Sequence, residues 1–522
     1  MRASSDDDGL FGAPAFLTLP TTAHDKSRRH AAPRRQRLVF VLVLVLLTLV
    51  ALVVLVIETF GLFRSKPDSN KMASLAMARA KLDVFNQEAL LTQDARKKLH
   101  HELALSLSHY AQQTTTLRGV VLPLFDGIAH LGMSLVLELR ALHVALPIEI
   151  PHCGDLAPVF KQMIERRDTL VRVYDVCAEA LKAISLFNPG QKLFCETAAQ
   201  CETHFRSFNI KILSIVFSQF EEVMLLDADT LFFQSPMTLW DLDKYKSTGT
   251  LFFHDRISYD LSYLAKRVSN SEHGQQLSQL HVYLSKFDVS PFRTLHHLPR
   301  EAPDTALKNP DALRGLKLQF QPSKLLLESH VWNLRAGHQM DSSLVLWNKS
   351  KQPRATAILA SFVALNNIPF PPSYGDKELF FLACELAETQ YEFSEFGVGA
   401  LGVELRDDGD KPDSVLCGGG LHYFPVNPDN SSPTFDHVPM LYLNSDDILT
   451  LDVEKETIYR TVGRPAAFYA GSFRERNIVQ ECPFGIKALK LTPDELRTIA
   501  RRQQLHETVL QWPPDSLHGS EE

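Results

Sequence analysis

Glu222-Val223-Met224-Leu225-Leu226-Asp227-Ala228-Asp229-Thr230-Leu231-Phe232-Phe233 is an apolar run of strand type broken by two aspartates one residue apart. On an extended chain, residues two apart point to the same face, so both carboxylates reach one point just beyond the strand end. Two convergent carboxylates in apolar surroundings repel each other and are costly to bury unless a cation lies between them. Hard oxygen ligands favour Mg2+, Mn2+ or Ca2+ over softer metals. An ion held by few protein ligands keeps coordination positions for a diphosphate, so the stretch reads as the floor of a nucleotide-sugar site.

Other Asp-x-Asp triplets occur at Asp6 to Asp8, Asp241-Leu242-Asp243 and Asp408-Gly409-Asp410, all in polar or glycine-rich settings that suit solvated loops. Only Asp227 and Asp229 are flanked by apolar runs on both sides, and that context gives the motif content. An aspartyl phosphatase motif also ends a strand with Asp-x-Asp, but it needs one residue between the second Asp and its Thr. Here Thr230 follows Asp229 directly, which argues against that chemistry.

Outward from this stretch, short apolar runs alternate with helical segments. Upstream, Gly119 to Phe125, Leu146 to Ile150 and Val171 to Val176 read as strands, with helices over Ile128 to Leu142 and Ile210 to Phe220. Downstream, Thr250 to Phe253 and Ser342 to Trp347 are strands, and Arg354 to Leu365 and Asp376 to Glu388 are helices. Such alternation predicts an α/β layer with a mostly parallel mixed sheet, whose ligands lie at the carboxyl ends of the strands. Asp227 and Asp229 sit where that rule puts them. Residues 258–327, polar and proline-rich, read as an insertion of helices and loops; residues 461–522 form a C-terminal extension with a helix near Pro493 to Leu510.

The amino-terminal end has a different character. Residues 1–37 end in a basic cluster, Lys26 to Arg37, and Leu38 to Ile57 is apolar throughout except for Thr48. Twenty such residues in a helix span about 30 Å, the thickness of a bilayer core. The excess positive charge upstream keeps the first 37 residues cytoplasmic and puts the bulk of the chain in the lumen. Residues 58–116, rich in Ala, Leu, Lys and Glu, then read as a helical stem, a plain spacer in preference to a coiled-coil dimer contact, because no clean heptad persists. Residues 117–460 remain for the main domain. The net charge of -7 gives no reason to expect a nucleic-acid partner.

The seven cysteines form no Cys-x-x-Cys pair, which speaks against a zinc site. An oxidising lumen should convert some to disulfides, with one left over; Cys195 with Cys201 is one candidate pair. Two glycosylation sequons occur, at Asn348 and Asn430, the second in a proline-rich stretch and the better acceptor.

Three later clusters are candidates to share the site. Asp341-Ser342-Ser343 leads into an apolar strand. Tyr374-Gly375-Asp376-Lys377-Glu378 is a glycine turn opening a helix, where Lys377 and backbone amides could meet anionic groups, although Asp376 and Glu378 could equally serve as helix caps. Cys417-Gly418-Gly419-Gly420-Leu421-His422 brings an imidazole after three glycines that allow close backbone approach.

In combination, these motifs resemble glycosyltransferase family 71, the Golgi mannosyltransferases of fungal mannan synthesis. The resemblance is carried by Leu146-Pro147-Ile148-Glu149-Ile150, by Lys211 ahead of Leu225 to Asp229, and by Leu251-Phe252-Phe253. It continues through Asp341-Ser342, Gly375 to Glu378 and the approach to His422. It departs at Asp341-Ser342-Ser343, where the family has Glu-Ser-Gly. The resemblance implies a GT-A fold, a Golgi location, and Mn2+-dependent transfer of mannose from GDP-mannose to a glycan or glycoprotein with retention. It implies Asp227, Asp229 and His422 at the metal, Lys211 and Lys377 on the donor, and Asp341, Asp376 and Glu378 facing the transferred sugar or acceptor. A UDP-sugar transferase of the glycogenin-like class and a membrane-anchored carbohydrate-binding protein are the alternatives.

Overall fold

The computed structural model describes residues 90–512 apart from 258–260, 269–275, 301–312, 366–370, 408–413, 426–437, 467–471, 475–480 and 484–486, together with Arg79 and Glu88. The apolar stretch Leu38 to Ile57 lies outside the described residues. Among the helices described, none is long and apolar enough to cross a membrane.

The chain enters through helix α1 (Gln93–Ala111), strand β1 (Thr116–Val121), helix α2 (Ala129–Ala141), β2 (Ile148–His152), α3 (Pro158–Arg167) and β3 (Val171–Asp175). It continues through α4 (Ile210–Phe217), β4 (Phe220–Leu226), β5 (Thr230–Phe232), β6 (Thr250–His254) and β7 (Met340–Asn348). Helices α5 (Pro353–Val363) and α6 (Leu379–Leu386) follow, then β8 (Gly399–Asp407), β9 (Ser414–Tyr423), β10 (Met440–Asn444), β11 (Tyr459–Thr461), β12 (Ala488–Lys490) and helix α7 (Pro493–Leu510).

The first sheet has the order β3-β2-β1-β4-β7-β6. Strands β3, β2, β1 and β4 run parallel, and β7 is antiparallel to both β4 and β6. The mostly parallel α/β layer read from the sequence is therefore present. The single reversed strand has a consequence for function. Parallel strands deliver their last residues to the carboxyl edge, whereas an antiparallel strand delivers its first. Asp227 after β4, Asp255 after β6 and Asp341 at the start of β7 thus meet along one edge.

The interior explains why β4 has no polar face. Val223 and Leu225 belong to a core shared with α1, α4, α5 and α6, while Met224 and Leu226 point into a second core against α2. Strand β7 repeats the pattern, with Val345 and Trp347 on one side and Leu344 and Leu346 on the other. A strand covered on both faces reads as a continuous apolar run.

One expectation changes, at the stem. The stem ends in α1, and this helix is no spacer. Leu103, Ala104, Leu107 and Ala111 are buried in the first core, so its apolar stripe is used within the domain and is not free for a coiled coil. The proline-rich insertion also contributes to that core, through Leu280, Leu284, Val289 and Phe292.

The second sheet has the order β12-β11-β8-β9-β10-β5 and is antiparallel wherever its strands pair. Strand β5 begins immediately after Asp229, so the Asp-Ala-Asp stretch is the link between the two sheets. The glycines of β9 do what their lack of a side chain permits. A Cβ on Gly418 would lie 2.0 Å from the carbonyl oxygen of Leu401 on β8. We expect Gly418→Ala to force β8 and β9 apart at the cost of about 1–3 kcal/mol, as overpacking does. A lowered thermal midpoint relative to a Gly190→Ala control in an open loop would register it.

Candidate active site

Strand β4 stops because the chain must turn out of one sheet and into the other, and the turn is fixed by backbone bonds. The Asp227 N–H donates to the Ser343 carbonyl at 2.9 Å, and the Ser445 N–H donates to the Asp229 carbonyl at 3.2 Å. With the main chain held at both ends, the side chains of Asp227 and Asp229 line one cleft of about 400 Å³. Lys211, Asp155, Arg206 and Phe208 share it.

One wall of this cleft is covalently braced. Cys153 is disulfide-bonded to Cys177, and Cys195 to Cys201. The Cys153 N–H donates to Asp155 Oδ1 and the Cys153 carbonyl accepts from Arg206 Nε, both at 2.9 Å. A third disulfide joins Cys417 to Cys482, and Cys384 is free and buried. The pairing of Cys195 with Cys201 matches the sequence reading.

Lys211, on the first turn of α4, is the hub. Its Nζ lies 2.7 Å from Asp227 Oδ1, donates to Asp227 Oδ2 at 2.9 Å, and lies 3.3 Å from both Asp376 Oδ2 and Ser342 Oγ. Burial works against its charge, but Asp227 and Asp376 outweigh that penalty and hold the ammonium above the usual lysine value. Asp227 is itself pushed up to about 6 by burial first and then by the neighbouring carboxylates of Asp376 and Asp341, against the pull of Lys211. Its burial is one-sided, since 29% of the side chain stays exposed.

Asp341 answers to different partners. It accepts from the Ser343 N–H at 2.7 Å, and its Oδ2 lies 3.2 Å from His422 Nε2. Burial alone would raise its pKa, yet these contacts and the Lys377 charge hold it well below the carboxylate range. Lys377 in turn pairs with Asp255 and remains an ammonium for the same reason as Lys211. His422 is stacked on Tyr442 at 4.4 Å and meets the edge of Phe253 at 5.5 Å. Asp229 Oδ1 accepts from Asn444 Nδ2 at 2.8 Å.

The structure thus brings together Lys211, Asp227 and Asp376 in one group, and Asp341 and His422 in a second beside it. Lys377 points to Asp255 within the protein. Glu378 is fully buried, with Oε1 accepting the Gln339 N–H at 3.0 Å and lying 3.5 Å from His338, so it supports the site from behind. The cap reading of the Gly375 turn fails, because Glu378 stands at the N-cap of α6 without a side-chain capping bond. The sequon at Asn348 is likewise ruled out as an acceptor, since the side chain is buried and donates to Glu222.

Asp255 was legible and missed: it follows the apolar strand Thr250 to Phe253 after one residue, much as Asp227 follows β4. Asn444 gave no signal of its own.

The carboxylates can be tested against a divalent cation. Asp155, Asp227 and Asp229 line the cleft, Asp227 carries a raised pKa, and the Lys211 ammonium lies between Asp227 and Asp376. That donor set fits a hard cation through Asp227 and Asp229. His422 is less well placed than the resemblance implied, because its Nε2 is directed at Asp341. Among the described residues, no group of three or more His, Cys, Asp or Glu side chains is disposed to hold a metal ion.

Residues 117–423 match the family model described as "Mannosyltransferase putative". The chain belongs to that mannosyltransferase family. Within it, the chain is 28% identical over 321 residues to "Putative alpha-1,3-mannosyltransferase MNN12" of Candida albicans, covering 57% of this chain and 34% of that one. It is 26% identical over 318 residues to "Probable alpha-1,3-mannosyltransferase MNT4" of Saccharomyces cerevisiae, covering 59% and 48%. The match therefore spans between a third and a half of these relatives' length. A solved bifunctional glycosyltransferase, WbbM, overlaps 54% of this chain and 39% of its own at 14% identity and a TM-score of 0.29, too low to show a common fold.

The family match stops before α7, yet this helix reaches the Asp-Ala-Asp turn. It starts on a capping box, Thr492 with Glu495, and Pro493 in its first turn. Its Arg502 is fully buried under the turn, donating to the Ala228 carbonyl at 2.9 Å, the Leu131 carbonyl at 3.2 Å and Glu138 Oε2 at 2.8 Å. We expect Arg502→Met to cost about 3–5 kcal/mol, because it takes from the buried Glu138 carboxylate the nearer of its two arginine partners and leaves Arg501 at 3.7 Å. Glu138→Leu combined with Arg502→Met should recover part of that loss, and chemical denaturation of the two single variants and the double variant measures the coupling.

Proposed function

We propose that the protein is a glycosyltransferase that moves mannose from GDP-mannose to a glycan or glycoprotein acceptor as an α-mannoside, on a GT-A type framework in the secretory pathway. The observation that carries this reading is the pair Asp227 and Asp229 on the wall of one cleft, with Lys211 between Asp227 and Asp376, in a chain of the mannosyltransferase family. The three disulfides suit an oxidising lumen.

Asp227 and Asp229 would hold Mn2+ in this reading. The chemistry it would supply is stabilisation of the charge that grows on the diphosphate as the glycosidic bond breaks. The remaining work falls to the chain itself. Lys211 offers a buried ammonium, its charge supported by Asp227 and Asp376, at the wall of the cleft, suited to an anionic leaving group. Asp341, held ionised by His422 and Ser343, is an anion beside the cleft where positive charge develops on the sugar ring. Arg502 and Ser343 fix the backbone so that these groups do not reorganise during the reaction. The transferred sugar rests on family membership, and the donor nucleotide on the resemblance of the sequence motifs.

The test uses the full chain in detergent, with GDP-mannose, UDP-glucose, UDP-galactose and UDP-N-acetylglucosamine each assayed in Mn2+ and in EDTA. Turnover of GDP-mannose alone, lost in EDTA, is the expected result; turnover of a UDP-sugar instead would overturn the donor assignment. Asp229→Ala should lower transfer at least about 100-fold, the scale of losing one preorganised electrostatic group, while the circular dichroism spectrum stays that of the parent. Retained transfer in this variant would remove the Asp-Ala-Asp turn from the site.

A further inference from the structure

Large apolar side chains exposed in a cluster call for a ligand, and one such cluster lies at the mouth of the cleft. Phe208, Tyr374 and Tyr263 are 54%, 45% and 39% exposed. They come from three separate segments of the chain, yet their rings meet. Phe208 lies 6.1 Å from Tyr374, and Tyr374 lies 5.0 Å from Tyr263. His338 completes the group at 5.4 Å from Tyr263 and 5.9 Å from Tyr374.

The backbone is bent to put the rings there. Tyr263 has φ +51, a left-handed conformation that a bulky residue adopts only when its surroundings impose it. Gly375 has φ +62, and a Cβ at that position would lie 2.8 Å from the Phe208 ring, so only glycine lets Phe208 sit this close to the turn. Core packing alone does not account for either feature, because each of these side chains stays at least 39% exposed.

The cluster is also continuous with the site. Phe208 lines the cleft with Lys211 and Asp227. Tyr374 is two residues from Asp376, which is 3.3 Å from Lys211, and His338 is 3.5 Å from Glu378. We propose that this aromatic rim is the acceptor subsite, where a pyranose ring of the acceptor glycan stacks before its hydroxyl is glycosylated. The axial C–H groups of a hexose form an apolar face that matches an aromatic ring, while its hydroxyls stay at the edge in contact with water and His338. The proposal rests on the glycosyl-transfer reading above.

The test compares the parent with Tyr374→Ala, Tyr263→Ala and Tyr374→Phe, using the full chain, GDP-mannose, Mn2+ and α-mannobiose as acceptor probe. Loss of one stacking ring should raise the acceptor KM about tenfold, the scale measured for other ring-stacking platforms, with the GDP-mannose KM changed less than about twofold. Tyr374→Phe should restore the parent value, since the ring rather than the hydroxyl does the stacking. An unchanged acceptor KM in both alanine variants would overturn the proposal. So would a matching rise in the GDP-mannose KM, which would place the nucleotide base on the rim. If the parent turns over no donor, the transfer reading fails and the rim is tested directly by saturation-transfer NMR with α-mannobiose. Contact that Tyr374→Ala abolishes would sustain it, and equal signals in parent and variant would end it.

Discussion

The ion pair of Lys211 with Asp227 and Asp376 is the interaction on which the rest of the cleft depends. Carboxylates gathered at the edge of a buried sheet would otherwise repel or bind protons, and either outcome would spoil an electrostatic site. The ammonium is supplied by α4, whose apolar residues pack into the core below, so its position is set by burial rather than by a flexible loop. A second lysine, Lys377, performs the same service for Asp255 and adds to the field around Asp341. The arrangement is costly to bury and stable only with every partner present.

The reversed strand β7 is what gathers these groups. Had it run parallel, Asp341 would lie at the opposite edge of the sheet, some six residues of strand away from Asp227. Its antiparallel course puts Asp341 opposite Phe253 and Leu344 opposite Leu226, beside the Asp-Ala-Asp turn. The second sheet then packs its own contribution onto the same edge. Strand β5 continues from Asp229, β10 supplies Asn444 and Tyr442, and β9 supplies His422. The glycines of β9 let its neighbours approach closely, Leu401 of β8 at Gly418 and Leu443 of β10 at Gly419.

Much of this was legible in the sequence because it is governed by local pattern. Continuous apolar runs marked β4 and β7, and two charges at a strand end marked the cleft. What was not legible is pairing at a distance. Nothing in Glu378 distinguishes a carboxylate facing a cleft from one holding the Gln339 amide. The reading of His422 as a ligand depended on where Asp341 would lie, which the direction of β7 decides. Arg502 was invisible for the same reason, as one arginine among several on an amphipathic helix, and only the fold shows it beneath Ala228. The stem was misjudged at its end because the partner that buries α1, helix α5, lies some 250 residues away in the chain.

Asp255 has Lys377, but among the described residues Lys211 serves both Asp227 and Asp376. One negative charge is left over in that group, and the pKa of Asp227 is raised by burial first and then by the carboxylates of Asp376 and Asp341. Asp229, held by the neutral amide of Asn444 and in the field of Arg502, adds a further anion on the same side. The part of Asp227 that remains exposed keeps it accessible to further positive charge.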